Sequence, residues 1–278
     1  MGFRALKNEE YKMTSFETTL KLAGKHYSSR LILGTSGYPN LDIMEQSLLA
    51  SKTEMVTVAL RRVNVAEKSS GSFMEMLHKN NFQILPNTAG CHTAAEAILT
   101  AHMARELLNT SWIKLEVIGD EYSLYPDSEE LLKAAAILIK EGFVVFPYCN
   151  DDPVVCRKLA DMGCAAVMPL ASPIGSGQGI RNPNNLELIR KTVSIPIIVD
   201  AGIGAPSDVC FALELGADAV LLNTAIAKAK NPVEMALAMR EAATAGFTAY
   251  RSGLIPEKKF ATPSTPDVGK MNYIREKK

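Results

Sequence analysis

Two residues of opposite charge, Lys114 and Glu116, stand two apart inside the run Trp112–Ile118 (WIKLEVI). Read as a strand, the run sets Trp112, Lys114, Glu116 and Ile118 on one face and Ile113, Leu115 and Val117 on the other. The second set is purely aliphatic and suits packing against helices. Lys114 and Glu116 then face inward, where charges are costly to bury. One reading is a buried ion pair that only holds the strand in register. The other is a nucleophilic amine with a carboxyl group beside it. Desolvation lowers the pKa of a lysine, and the neutral amine attacks a carbonyl to form an imine. Glu116 would shuttle the protons that carbinolamine dehydration and enolisation require.

Asp200 ends the run Pro196–Asp200 and opens Asp200-Ala201-Gly202-Ile203-Gly204. Capping the next helix is one use for it. Ser207, nearer that helix, suits the cap better and leaves Asp200 for catalysis or substrate contact. Gly202 and Gly204 would let backbone N–H groups approach a phosphate or hydroxyl closely. Asn223-Thr224 precede a short helical stretch, AIAKAK, so side-chain donors and a helix start meet there. Gly175-Ser176-Gly177-Gln178-Gly179 reads as part of the same cradle or as a flexible lid. His92 reads as a helix start. The 4 histidines lack metal spacing, and no carboxylate cluster or nucleotide fingerprint stands out.

These residues need a frame that brings them to one mouth. Short apolar runs alternate with amphipathic segments along the chain. The runs are Arg30–Gly34, Met55–Leu60, Phe82–Pro86, Trp112–Ile118, Phe143–Pro147, Ala165–Leu170, Pro196–Asp200 and Ala219–Asn223. The helical segments are Asp42–Ser51, Ser70–Lys79, His92–Leu108, Ser128–Lys140, Asp152–Met162, Asn184–Lys191, Ser207–Leu215 and Pro232–Ala245. Asp152-Pro153 and Asn231-Pro232 pair a cap with a first-turn proline. Gly142, Gly163 and Gly216 each mark a helix stop. Eight βα units in order predict an α/β chain with a single TIM (β/α)8 barrel; an open doubly wound sheet is the alternative. In barrels the active site forms at the C-terminal ends of the strands, with phosphate after the seventh and eighth. Those are the places of Asp200 and of Asn223-Thr224.

Residues 15–253 read as the barrel, 1–14 as an N-terminal extension and 254–278 as a loop-like tail. The tail carries Pro256, Pro263 and Pro266 and is either disordered or folded over the barrel mouth. Lys+Arg and Asp+Glu both number 30 among 278 residues, which argues against nucleic acid as the main partner. No secretory signal and no apolar run near the roughly 18 residues of a membrane span is evident. The 5 cysteines are odd in number and form no CxxC pair, which reads as reduced thiols in a cytoplasmic protein.

The stretches SSRLILGTSGYPN, NTAGCHTAAEA, WIKLEVIGD, CAAVMPLASPIGSGQGIRNP, IPIIVDAGIGAPSDV and ALELGADAVLLNTAIAKAKNP carry a specific match. From about Thr19 to Pro266 the chain closely resembles the bacterial thiazole synthases of thiamine biosynthesis. The resemblance implies a TIM barrel that condenses 1-deoxy-D-xylulose 5-phosphate, dehydroglycine (2-iminoacetate) and sulfur into a thiazole phosphate carboxylate. Sulfur would arrive as a thiocarboxylate on the C-terminus of a ubiquitin-like carrier protein of the ThiS type. By the same resemblance Lys114 forms the imine, and Glu116 and Asp200 are the acid–base carboxylates. The sugar-phosphate contacts fall on Gly175, Ala201, Gly202, Asn223 and Thr224. No cofactor is implied. An oxidase or radical enzyme would supply dehydroglycine, and a homo-oligomer, dimer or tetramer, is expected. The tail KKFATPSTPDVGKMNY matches only loosely, and the N-terminal extension is longer than the family pattern. A Schiff-base aldolase and a catalytically idle sugar-phosphate binder are the competing readings.

Overall fold

The structure is a computed structural model that describes residues 19–60 and 68–265. It opens on an antiparallel hairpin, β1 (Leu20–Leu22) and β2 (Lys25–Tyr27), that the sequence reading did not anticipate. Eight parallel strands follow: β3 (Leu31–Gly34), β4 (Met55–Ala59), β5 (Gln83–Asn87), β6 (Trp112–Leu115), β7 (Val144–Cys149), β8 (Met168–Pro169), β9 (Ile198–Asp200) and β10 (Ala219–Leu222). Each arises from one of the eight apolar runs. Their order is β8-β7-β6-β5-β4-β3-β10-β9. Bridges from Val167 to Ile197 and from Leu170 to Asp200 join the two ends, so the sheet closes into a barrel. The open doubly wound alternative is thereby overturned.

The helices are α1 (Leu41–Ser51), α2 (Lys68–Lys79), α3 (Ala94–Leu108), α4 (Ser128–Lys140), α5 (Pro153–Asp161), α6 (Pro183–Thr192), α7 (Pro206–Glu214), α8 (Thr224–Ala227) and α9 (Pro232–Ser252). Asp152 accepts from Val154 N at 2.7 Å, with Pro153 opening α5 behind it. Asn231 accepts from Glu234 N ahead of α9. Gly142, Gly163 and Gly216 all take positive φ, as helix stops do. Ser207 is not the cap of α7. The N-cap position is Ala205, whose side chain has no acceptor, and Asp208 reaches back instead to the N–H groups of Gly204 and Ala205, both at 2.9 Å. The last helix runs past Ala245 because Gly246 serves contact rather than termination. A Cβ there would stand 2.3 Å from the carbonyl oxygen of Cys210 on α7, so only glycine lets the two helices meet this closely.

Alternation divides the core as the Trp112–Ile118 pattern predicts. Ile113, Leu115 and Val117 pack outward under the helices, in a shell with Ala97, Ala101, Leu131 and Leu138. Inside the barrel, Trp112 joins Phe146, Met168, Ile198 and Leu221 in a lower layer that Leu20, Leu22 and Tyr27 of the hairpin close from below. Ile118, Tyr148 and Leu170 form a small upper cluster. The charged residues of β6 and β9 lie on the same inward face as these two layers.

α9 ends beside Ser28, Ser29 and Arg30, at the foot of the barrel and opposite the mouth. From there residues 254–265 run exposed, outside any helix or strand. The expectations for residues 1–14 and 266–278 fall outside the described residues. No described helix is long and apolar enough to cross a membrane.

Candidate active site

β6 and β9 face each other's polar residues across the barrel interior. Ile198 and Asp200 of β9 point inward and Val199 outward, so Asp200 arrives above the lower apolar layer. Lys114 Nζ stands 2.9 Å from Glu116 Oε1 and 2.7 Å from Asp200 Oδ2. The contact to Asp200 is an ion pair. The ammonium also lies 5.5 Å from the centroid of the Tyr148 ring. Lys114, Glu116 and Asp200 are 5%, 5% and 3% exposed, so the triad is almost dry.

One ammonium therefore faces two carboxylates. Burial alone would lower the pKa of Lys114, but the charges of Asp200 and then Glu116 outweigh it and hold the amine above its usual value. The expectation of a desolvated amine with a lowered pKa is thus corrected: the carboxylates of Asp200, brought in by β9, and of Glu116 together raise it. Burial pushes the Asp200 carboxyl up; Lys114 offsets part of that, and Glu116 adds to it.

A cavity of about 440 Å³ opens onto the triad at the C-terminal ends of the strands. Lys114, Glu116, Asp200, Gly175, Ala201, Gly202, Asn223 and Thr224 all line it. A larger cavity, about 740 Å³, lies at the barrel foot, lined by Arg30, Arg251 and Phe247, far from the triad. The mouth is the candidate site because there a buried amine meets two carboxylates.

The loops show why the rim has this composition. Asn223 packs across Gly34 so closely that a Cβ on Gly34 would stand 2.5 Å from its own. Its amide donates to Ser36 O at 2.9 Å, while its Oδ1 is buried without a partner. Ala201 takes φ +68, a left-handed conformation that costs a non-glycine residue about 1–3 kcal/mol and is characteristic of functional loops. Gly204 departs from expectation. Its N–H is held by Asp208, and it lies outside the cavity lining. It lacks a side chain because a Cβ would meet the carbonyl oxygen of Gly177 at 2.4 Å. The 175–179 loop is thus seated on the 202–204 loop, and Gly179 N donates to Gly202 O at 2.9 Å.

His92 precedes Thr93, whose hydroxyl and Glu96 form the capping box of α3, so the helix-start reading holds. Its ring also lines the cavity, with Nδ1 3.1 Å from Ile118 O. Asn87, Thr57 and Thr35 line the cavity too, and sequence reasoning passed over them. The signal was there for Asn87: a polar residue ending an apolar run, as for Asp200. No three His, Cys, Asp or Glu side chains group to hold a metal among the described residues.

The family model for "Thiazole biosynthesis protein ThiG" matches residues 21–266. The chain belongs to this family. Thiazole synthase from Sorangium cellulosum (strain So ce56) is 57% identical over 245 residues, covering 88% of this chain and 94% of that protein. Thiazole synthase from Myxococcus xanthus (strain DK1622) is 55% identical over 252 residues, covering 91% and 97%. A chain of the Amycolatopsis orientalis BexX/CysO complex superposes with a TM-score of 0.78 at 33% identity, covering 86% of this chain and 98% of that one. Membership of the ThiG family makes the barrel an enzyme, a thiazole synthase of thiamine biosynthesis.

Proposed function

We propose that this barrel condenses 1-deoxy-D-xylulose 5-phosphate, dehydroglycine and sulfur from a carrier-protein thiocarboxylate into thiazole phosphate carboxylate, through an imine on Lys114. The observation that carries the reading is the dry triad of Lys114, Glu116 and Asp200 facing a cavity of sugar-phosphate size. Lys114 first gives a proton to Glu116, 2.9 Å away, and the freed amine attacks the pentulose ketone. The carbinolamine then loses water to the imine, with Asp200 protonating the departing hydroxyl. Glu116 and Asp200 next move protons between adjacent carbons and shift the carbonyl to the neighbour. The sulfur of the carrier thiocarboxylate attacks there, the carrier acyl group passes from sulfur to the former carbonyl oxygen, and the carrier leaves as its carboxylate with that oxygen while the sulfur stays on the carbon. Dehydroglycine adds through its imine carbon to the sulfur, its nitrogen displaces the Lys114 amine from the former ketone carbon to close the ring and free the enzyme, and loss of water completes the thiazole.

Gly175, Ala201, Gly202, Asn223 and Thr224 hold the sugar phosphate in this reading. The unpartnered Oδ1 of Asn223 supports a substrate hydroxyl donor at that point. The enzyme itself uses no cofactor, because dehydroglycine arrives preformed and sulfur arrives on a partner. That the Amycolatopsis orientalis neighbour was solved as a BexX/CysO complex supports a protein partner for this barrel. The catalytic unit spans residues 15–253 and works as a cytoplasmic homo-oligomer.

Borohydride reduction in the presence of 1-deoxy-D-xylulose 5-phosphate tests the first step. A sugar adduct on Lys114 by peptide mass mapping is the expected result. An adduct on another residue, or none, overturns the imine.

A further inference from the structure

The β5–β6 ladder is short. Asn87 pairs with Lys114, and β5 ends there. The backbone of Glu116 is nevertheless satisfied, by a side chain. Glu116 N donates to Thr88 Oγ1 at 2.7 Å, and Thr88 Oγ1 donates to Glu116 O at 2.7 Å. Thr88 N also donates to Lys114 O at 3.1 Å. Thr88 is 0% exposed. The same turn continues upward: Cys91 N donates to Thr88 O at 3.1 Å, and Ile118 N donates to Cys91 O at 2.8 Å. The main-chain groups of residues 114, 116 and 118, whose side chains face the cavity, are thus all held from the 88–91 turn.

We propose that Thr88 is a positioning residue for the reaction: its hydroxyl stands in for the missing stretch of β5 and fixes Glu116 against Lys114. The proposal rests on the catalytic reading of the triad given above. The chemistry suits threonine. One hydroxyl both accepts from an N–H and donates to a C=O, and a β-branched side chain has few rotamers to leave that pose. Valine has nearly the same shape and does neither. Without the hydroxyl, two buried backbone groups of Glu116 lose their partners and the segment carrying the carboxylate must move to find others. Thr88 does not line the cavity, so it acts through Glu116 and not on substrate.

The test is a kinetic cycle on the full chain, with thiazole formation as readout, over Thr88→Val, Glu116→Gln, the double variant and Thr88→Ser. Thr88→Val is expected to lower kcat about a hundred-fold, as misplacing a catalytic group by an ångström does, with KM for the sugar phosphate unchanged. Thr88→Ser, which keeps the hydroxyl, retains most of the parent kcat. The double variant falls no further than Glu116→Gln alone, because Thr88 works only through that carboxylate. Parent-level kcat in Thr88→Val, a Thr88→Ser variant as slow as Thr88→Val, or additive losses in the double variant each overturn the proposal. If Thr88→Val does not fold, Thr88→Cys replaces it: the weaker hydrogen bonds of a thiol should lower kcat in a folded protein, and an unchanged kcat overturns the proposal. Borohydride trapping runs beside the cycle. Loss of the Lys114 adduct in the parent sinks the imine, while non-additivity of the cycle still ties Thr88 to Glu116.

Discussion

Lys114 has a charge balance that makes its removal informative. The ammonium offsets two buried carboxylates, which stand 2.9 and 2.7 Å away. In Lys114→Met the two carboxylates remain without a cation in a nearly dry site. Breaking such a group by removing the lone partner of opposite charge typically costs about 3–5 kcal/mol. The cost depends on pH. Burial and Glu116 already push Asp200 up, and loss of Lys114 removes the larger part of what holds it down, leaving only the backbone N–H of Ala201. With a folded pKa above its unfolded value, the folded state binds the extra proton, so stability falls as pH rises through that folded pKa and returns on acidification. Lys114→Met should therefore unfold at clearly lower denaturant at pH 8 than the parent, with much of the gap closed at pH 5. Asp200→Asn leaves one cation with one anion, and its midpoint should stay near the parent while thiazole formation is lost. Equal stability of Lys114→Met at both pH values would mean that the carboxylates are not buried charges. The inward pair was legible in seven residues of sequence. The sign of the shift was not, because it depends on Asp200, which only barrel closure brings to Lys114.

Elements were legible where local chemistry decides them. Eight apolar runs gave eight strands, and Asp152-Pro153 and Asn231-Pro232 opened helices as capping pairs do. What failed depended on contact between distant segments. The hairpin turn Ala23-Gly24, at φ 44° and 81°, lacks the asparagine–glycine signal of such turns, and its strands are held by the barrel floor they cover. Gly204, read as part of a phosphate cradle, and Gly246, which the sequence reading passed over, are close approaches between segments. Such a glycine gives a prediction. At Gly204 a Cβ would strike the backbone of Gly177, which a rotamer change cannot relieve, so Gly204→Ala must displace the 175–179 loop. Overpacking of this kind costs about 1–3 kcal/mol. KM for the sugar phosphate should rise with it, because Gly175 of that loop lines the cavity. Gly142 is the control: at φ +80° with open space around it, Gly142→Ala pays only the backbone term of about 1–2 kcal/mol and leaves KM alone. Steady-state kinetics beside thermal melts distinguish the two. Equal KM values would show that the loop seat does not shape the site.

At the scale of the whole molecule, the barrel puts stability and chemistry at opposite ends. The mouth carries the triad, the strained Ala201 and the glycine loops. The foot carries the lower apolar layer, and β1–β2 closes it with Leu20, Leu22 and Tyr27. Leu22 is 0% exposed and shares that layer with Trp112, two residues below Lys114 on the same strand face. Leu22→Ala should lower unfolding stability by about 2–5 kcal/mol, the cost of a lost side chain and the cavity left behind. The triad should not register it. The lost isopropyl group lies at the foot, and the Trp112–Phe146 pair, 5.1 Å between ring centroids, stands in the layer between it and the triad. At 25 °C the variant should keep the parent kcat and KM while its denaturant midpoint falls. If KM for the sugar phosphate instead rose as in Gly204→Ala, strain from the foot would be reaching the mouth through the Trp112 layer, and the hairpin would belong to the active site as well as to the fold.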